Sequence, residues 1–372
     1  MSIVPNPFKA VAKILFLFVI ATGTGIAVLE SASAQEHSGK SQVEVGKVAW
    51  STDWPAATKA SSDDGKPLFV QFQEIPGCQT CQNYGKRVLT HPLMVEAIED
   101  SFHPLLVYNN RQGKDATILK KFGEPSWNNP VVRLLDAEHK DLIPRQDRVW
   151  SRSGISVLMT QALQAAKQPV PNYLAMLAAE ENSREKATFA MYCYWSGEAK
   201  LGRLPGVLTT SAGWMEGLEV VELEYDPKLI SYDRLVREAS SMECASKVFT
   251  HSQQQSDAAI ALLGENLTRP AGKNRPAKDS DRKYYLKKSS LRYLPLTSVQ
   301  ATKVNAALGN KEDWQTWLSP RQIELATKVR RLLKEHPQGL RDFAPTHEPE
   351  ELADYQSRLE RFLEEKLATL AR

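Results

Sequence analysis

Cysteine is scarce, with four in 372 residues, so a scaffold stapled by disulfides is excluded. Histidine is nearly as sparse, and its seven copies lack the paired spacing of a structural zinc site. Neither a metal nor another cofactor is expected. Charge of one sign is also missing. The 47 Lys and Arg face 44 Asp and Glu, a balance of +3, which removes the broad cationic surface of a general nucleic-acid binder. Beyond the amino end no segment is apolar enough to span a bilayer. What is present is an ordinary globular composition, long enough for about two to three domains.

At the amino end, Lys9 and Lys13 precede an apolar stretch over 14–29, and Ala32-Ser33-Ala34 supplies small residues before Gln35. Basic, apolar, then small-x-small is the order of a cleaved secretory signal, here 1–34. A membrane anchor is the rival reading, but the run is short for a span and Gly23 and Gly25 interrupt it. The mature protein is therefore expected to be periplasmic or secreted, with no stable membrane span, where disulfides can persist.

Residues 35–60 are small and polar, a mobile lead-in. Residues 67–72 read as a buried strand, 103–109 as a second and 131–135 as a third, with a helix after the first. Strands alternating with helices predict an α/β domain over 60–155. Residues 155–184 read as helical and then polar, a connector. A new strand–turn–helix unit opens at 187–193, a strand covers 219–225, and 232–240 is helical, which makes an α+β domain over 185–264. The stretch 265–283 has prolines, many charges and no periodicity and reads as a linker, its cations lacking interleaved stacking aromatics. From 284 to 372 the chain is helical, with apolar positions at helical spacing over 322–333 and 350–367.

Cys78-Gln79-Thr80-Cys81 lies at a strand-to-helix junction. Two intervening residues let both sulfurs meet in a small ring, and the helix amino end stabilises a Cys78 thiolate, the species that attacks disulfides. An inert disulfide and half of a zinc site are the alternatives, and no second pair supplies the other half. With Lys66-Pro67-Leu68-Phe69-Val70 and Asn129-Pro130-Val131-Val132, the segment resembles thioredoxin-like proteins over roughly 60–150. The resemblance implies that Pro130 is the structural cis-proline facing the redox pair. Ile75-Pro76-Gly77 stands where thioredoxins carry a Trp, and this Pro-Gly-Cys form is similar to a thioredoxin-like group whose first redox position can be selenocysteine.

Cys193 sits at another strand-to-helix junction, within residues 189–198, and Leu204-Pro205-Gly206-Val207 follows. The helix amino end favours a thiolate at such a place, and Tyr194 and Trp195 offer an apolar wall fit for a methyl group. A buried free cysteine beside core aromatics is the plainer alternative. At strand period two, Glu219 shares a face with Val221, Leu223 and Tyr225, while Glu222 and Glu224 face the other way with Val220. A carboxyl on a buried apolar face can stay protonated near neutrality and act as a general acid. An edge-strand Glu reaching solvent is the alternative.

Together, Tyr192-Cys193-Tyr194-Trp195-Ser196, Pro205-Gly206-Val207, the strand over 216–221, and Tyr225-Asp226-Pro227 with Ile230-Ser231-Tyr232 resemble methionine sulfoxide reductase A, over about 185–264. The resemblance implies that the Cys193 thiolate attacks a sulfoxide sulfur while Glu219 protonates its oxygen. It assigns the methyl pocket to Tyr194 and Trp195, and leaves a sulfenic acid for a resolving thiol. This chain departs from the pattern at three places. Trp214 stands where the family has a Tyr that binds the sulfoxide oxygen. Leu218 lies in the segment replacing a Gly-His-Ala, and an Asp-His-Gly-x-Gln-Tyr stretch is largely missing. Met242-Glu243-Cys244-Ala245-Ser246 puts Cys244 about where a second oxygen-binding Tyr would be. The site is either decayed or rebuilt with Cys244 as a local resolving thiol.

The expected function is an exported reductase of methionine-S-sulfoxide in peptides, with the Cys78/Cys81 dithiol as tethered electron donor. Its partners would be methionine-sulfoxide-containing peptides or proteins and an exported thiol reductant. One alternative is an exported disulfide oxidoreductase whose second domain only binds clients. Another is a non-enzymatic binding protein with a structural Cys193–Cys244 disulfide.

Overall fold

β1 (Leu68–Gln73) is buried along its whole length, which is what a central strand covered by helices on both faces requires. It pairs in parallel with β2 (His103–Tyr108) and antiparallel with β3 (Val131–Leu135), giving the order β2-β1-β3. Four helices accompany this sheet: α1 (Trp54–Asp64), α2 (Gln79–Arg87), α3 (Pro92–Ser101) and α4 (Lys114–Phe122). On one face, Leu68, Val70 and Phe72 pack with Ala57 and Leu119 of α1 and α4. On the other, Phe69 packs with Tyr84, Leu93 and Ile98 of α2 and α3. This computed structural model describes residues 43–127, 130–180, 184–341, 343 and 352–370. The signal read at 1–34 lies outside them. So does Asn129, and with it the Asn129–Pro130 bond for which a cis-proline is expected; Pro130 itself is buried and its carbonyl accepts a hydrogen bond from Trp150 Nε1 at 3.1 Å.

Two segments belong to this domain although the sequence reads them as connections. α5 (Arg152–Ala165) and α6 (Asn172–Ala179) insert Ile155, Leu158, Met159 and Leu174 into the same apolar cluster as Phe69. They are core helices and not a connector. The described part of the lead-in, from Val43, is bound against the sheet: the Gln73 side-chain amide donates to Glu44 O at 3.0 Å and Lys47 N–H to Leu89 O at 2.8 Å.

The second sheet has six strands: β4 (Glu185–Ala190), β5 (Val207–Met215), β6 (Leu218–Tyr225), β7 (Lys247–Thr250), β8 (Thr268–Pro270) and β9 (Arg275–Pro276), in the order β8-β7-β4-β6-β5-β9. α7 (Tyr194–Gly202), α8 (Tyr232–Ser241) and α9 (Gln253–Leu263) accompany it. The stretch 265–283 is therefore no free linker. Its β8 extends one edge in parallel with β7, and its β9 extends the other antiparallel to β5. Two-residue and three-residue strands full of Pro and Arg carry no hydrophobic alternation, so periodicity misses them. The β5–β6 hairpin turns on Glu216 (φ 51°) and Gly217 (φ 78°), the two positive-φ positions of a tight primed turn, with glycine at one of them as that turn prefers. It sets Trp214 directly opposite Glu219.

The carboxyl-terminal region is helical: α10 (Tyr284–Lys287), α11 (Ser298–Asn310), α12 (Pro320–Glu335) and α13 (Leu352–Leu370). Capping boxes at Thr297/Gln300 and Ser319/Gln322 start α11 and α12. Leu286, Val304, Leu325, Val329, Tyr355 and Leu359 form their shared core. α11 lies against α7 so closely that a Cβ on Gly309 would sit 2.5 Å from Ala199 Cβ. α12 reaches the first domain, where Arg321 N–H donates to Glu96 Oε1 at 2.7 Å and the Arg321 guanidinium pairs with Glu99. Among the described residues no helix is long and apolar enough to cross a membrane.

Lys303 of α11 is 7% exposed, and its Nζ donates to Gly202 O at 2.8 Å and Leu204 O at 2.9 Å, holding the end of α7. Burial lowers its pKa to about 8, below the ordinary 10.5. The unfolded chain therefore binds this proton more tightly, and stability rises between those two values. Relative to Lys303→Met, the wild type should gain stability as pH rises from about 8 to about 10.5. Thermal melts across that range check it; parallel curves for the two proteins would show that Lys303 is not buried as a strained cation.

Candidate active site

Cys78 is the N-cap of α2, exposed, with Cys81 fully buried one turn on and their sulfurs 3.7 Å apart. Backbone hydrogen bonding from Cys81 holds the Cys78 thiol below its ordinary range, against a smaller opposing effect of burial. Burial pushes Cys81 up to about 12, with the neighbouring Cys78 adding to it. One sulfur is thus exposed and made more acidic and the other held back as a thiol, an asymmetry that suits an attacking and a resolving group. The support beneath is polar and specific. Glu44 Oε1 accepts Gly77 N–H at 2.9 Å, and the Gln73 amide reaches both Glu44 O and Cys81 O. Glu74 brings a carboxylate oxygen near both sulfurs.

Cys193 is half-buried and caps α7 with extended backbone (φ −141°). The first helical N–H after it, that of Tyr194, donates to Glu219 Oε2 at 2.8 Å. Met191 N–H donates to Glu219 O at 3.0 Å, so the β6 residue is fixed to both sides of the cysteine. The face assignment holds: Val221, Leu223 and Tyr225 are buried in one cluster with Met191 and Tyr194, and Val220 lies in another. Glu219 differs from the expectation of a buried carboxyl, being half-buried at the open end of its strand beside the hairpin turn.

The aromatic residues singled out in the sequence meet here. Tyr194 lies edge-on to Trp195 and Trp214, with ring centres 6.2 and 5.9 Å away. Burial, helped by the Asp281 and Glu219 carboxylates, raises the Tyr194 pKa and keeps the phenol protonated. Three neighbours are not legible in the sequence. Tyr284 of α10 stacks on Trp195 at 4.0 Å, Arg275 of β9 stands 5.7 Å from the Trp214 ring, and Asp281 Oδ2 lies 3.5 Å from the Tyr194 hydroxyl. All three come from the stretch read as a linker or from the first turn after it. Lys283 anchors that stretch: its N–H and Nζ both bind the fully buried Glu198 of α7, at 2.7 and 2.9 Å.

Cys244 is 2% exposed in the apolar cluster that holds Met191 and Tyr194. β4 and β7 pair antiparallel with Ala190 opposite Lys247, so Cys193, three residues after Ala190, and Cys244, three residues before Lys247, lie off the same end of the sheet. Both thiols are free. Burial raises the Cys244 pKa, partly offset by Lys200. A roomy cavity of about 510 Å³ at the other end of the sheet, near Glu185 and His251, holds no thiol.

Thiols at helix amino ends, one paired in a C-x-x-C and one beside a carboxylate, define the class: a thiol oxidoreductase. The comparisons with known proteins agree. A family model described as thioredoxin-like matches residues 49–137. A peptide methionine sulfoxide reductase of Nostoc is 30% identical over 115 residues, which is 22% of this chain and 71% of that protein. One from Geobacter sulfurreducens is 39% identical over 75 residues, 16% of this chain and 46% of that protein. Its counterpart in Geobacter metallireducens is 41% identical over 70 residues, 14% and 43%. The chain spans less than half of either Geobacter protein. The solved methionine sulfoxide reductase A of Corynebacterium diphtheriae is 22% identical, with a TM-score of 0.24, over 32% of this chain and 85% of that one. The chain belongs to the peptide methionine sulfoxide reductase A family and carries a thioredoxin-like domain fused in front.

The asymmetry of the first dithiol is directly measurable. Iodoacetamide should label Cys78 first, with a pH midpoint below that of an unperturbed thiol, and leave Cys81 unlabelled across the same range. Mass spectrometry of the labelled peptides reads this out; equal labelling of both would contradict the assigned roles.

Proposed function

We propose that this protein reduces methionine-S-sulfoxide in peptides outside the cytoplasm, with its own thioredoxin-like domain as electron donor. One observation carries the reading: Glu219 is hydrogen-bonded to the backbone N–H immediately after Cys193, with Trp214 across the strand and Tyr194 and Trp195 beside it. A nucleophile, a carboxyl proton donor and an apolar aromatic wall then surround one point, as reduction of a methyl sulfoxide requires.

In the proposed cycle the Cys193 thiolate attacks the sulfoxide sulfur and Glu219 gives the departing oxygen a proton. Methionine is released and Cys193 holds the oxygen as a sulfenic acid. Cys244 attacks that sulfur, water leaves, and a Cys193–Cys244 disulfide remains. The Cys78 thiolate then opens this disulfide, Cys81 resolves the mixed intermediate, and the two electrons end as a Cys78–Cys81 disulfide for an exported thiol reductant to reduce. A Cys193–Cys244 bridge needs the two Cα atoms within about 7 Å. Trp214, with Tyr284 stacked on Trp195, takes the place of the family's tyrosines as the wall of the sulfoxide site.

Glu219→Gln retains an oxygen to accept Tyr194 N–H, so the fold should persist while single-turnover formation of methionine falls by about 10²- to 10⁴-fold, the range of general acid catalysis. Unchanged turnover would reduce Glu219 to a capping residue. After one equivalent of a methionine-sulfoxide peptide, the wild type should contain a Cys193–Cys244 peptide by mass spectrometry, and Cys244→Ser should accumulate oxidised Cys193. A Cys78–Cys193 adduct forming equally fast in both would make Cys244 a bystander. A protein that binds the peptide but never converts it would instead be a client-binding module.

A further inference from the structure

A cavity of about 400 Å³ lies at the carboxyl end of the redox helix, away from both thiol sites. Its walls come from five parts of the chain: Lys47 of the lead-in, Lys86 and Arg87 of the last turn of α2, His91 at the N-cap of α3, Arg152 at the start of α5, and Asp354 of α13, the one acid among the described lining residues. Four cations face one carboxylate, and among the described residues none of the four has an ion-pair partner.

The interior is polar and unsatisfied. His91 is 3% exposed, yet neither ring nitrogen has a hydrogen-bond partner, and Arg152 Nε is likewise buried and unpaired. Orphaned polar atoms of this kind are costly, and their concentration in one place calls for an occupant. Burial, reinforced by the Arg152 charge, lowers the His91 pKa to about 3, so its ring is neutral and offers one N–H donor and one acceptor nitrogen. An occupant that satisfies the wall must carry negative charge for Lys86, Arg87 and Arg152, oxygens for their N–H groups, and a hydroxyl for the second nitrogen of His91. Carboxylates and sulfate lack the hydroxyl at neutral pH. A protonated phosphate has every part.

We propose that this cavity is a binding site for inorganic phosphate, held by Arg152, Arg87, Lys86 and Lys47 and oriented by His91. The opposite charge of the occupant would settle the cluster of cations that the fold gathers at the end of α2. Lys47, whose Nζ also donates to Ser357 Oγ of α13 at 3.2 Å, would couple occupancy to the seating of the last helix.

The test uses the full mature chain and inorganic phosphate as the probe. Melting temperature should rise saturably with phosphate, well beyond sodium chloride at matched ionic strength, and sulfate should bind several-fold more weakly. Lys86 and Arg87 are exposed, so the double variant Lys86→Met/Arg87→Met keeps the fold and should weaken phosphate by at least about tenfold, the loss of one charge-assisted hydrogen bond. Ring nitrogen resonances of His91 should shift along the same saturation curve. Phenyl phosphate, whose dianion has no P–OH at neutral pH, should bind more weakly than inorganic phosphate, and tighter binding of the ester would count against the proposal. No effect beyond sodium chloride, an effect the double variant retains, or sulfate matching phosphate would each overturn the proposal.

Discussion

The hydrogen bond from Tyr194 N–H to Glu219 joins the two elements on which the proposed chemistry of the second domain depends. It closes the amino end of α7, where the first backbone N–H groups have no partner within the helix, with a carboxylate from the neighbouring strand. Cys193 is thereby fixed at a helix terminus with an acid at its side. The hairpin turn at Glu216-Gly217 supports this from below, because it sets the register that puts Trp214 opposite Glu219. A register slip of one residue would turn Glu219 to the wrong face.

The same bond explains the architecture around it. α7 cannot move without disturbing the site, and three separate groups hold it: Glu198 to Lys283, Gly202 and Leu204 carbonyls to Lys303, and Ala199 against Gly309. All three partners come from the segment after the second sheet. The carboxyl-terminal helices are therefore part of the site's frame, and α10 adds Tyr284 to its aromatic wall. α12, tied to Glu96 and Glu99 of α3, connects that frame to the thioredoxin-like domain. The fusion of the two domains has a structural counterpart in these shared supports.

What the sequence makes legible is what local pattern encodes. The C-x-x-C at a strand end, the period-two face of Glu219, and the helices over 322–333 and 350–367 all follow from spacing within a few residues. What it hides is what distant pairing decides. β8 and β9 are too short and polar to show alternation, and they exist because Val248 and Trp214 offer edges to pair with. Tyr284 stacks on Trp195 only after residues 265–283 have wrapped the sheet. The core role of α5 and α6 is likewise tertiary, since their amphipathic pattern does not say which sheet they cover. Glu219 proves half-buried because it is the second residue of its strand, beside a solvent-facing turn, a position that face assignment alone does not weigh.

The most direct test of Cys193 as the site of sulfoxide chemistry is to trap its oxidised form. Reduced protein treated with one equivalent of methionine-S-sulfoxide peptide in the presence of dimedone, a sulfenic-acid reagent, is digested and read by mass spectrometry, with Cys244→Ser included to prolong the intermediate. The predicted result is a dimedone adduct on Cys193, none on Cys78 or Cys81, and one methionine released per adduct. Intact sulfoxide with no adduct, or an adduct confined to Cys78, would contradict it.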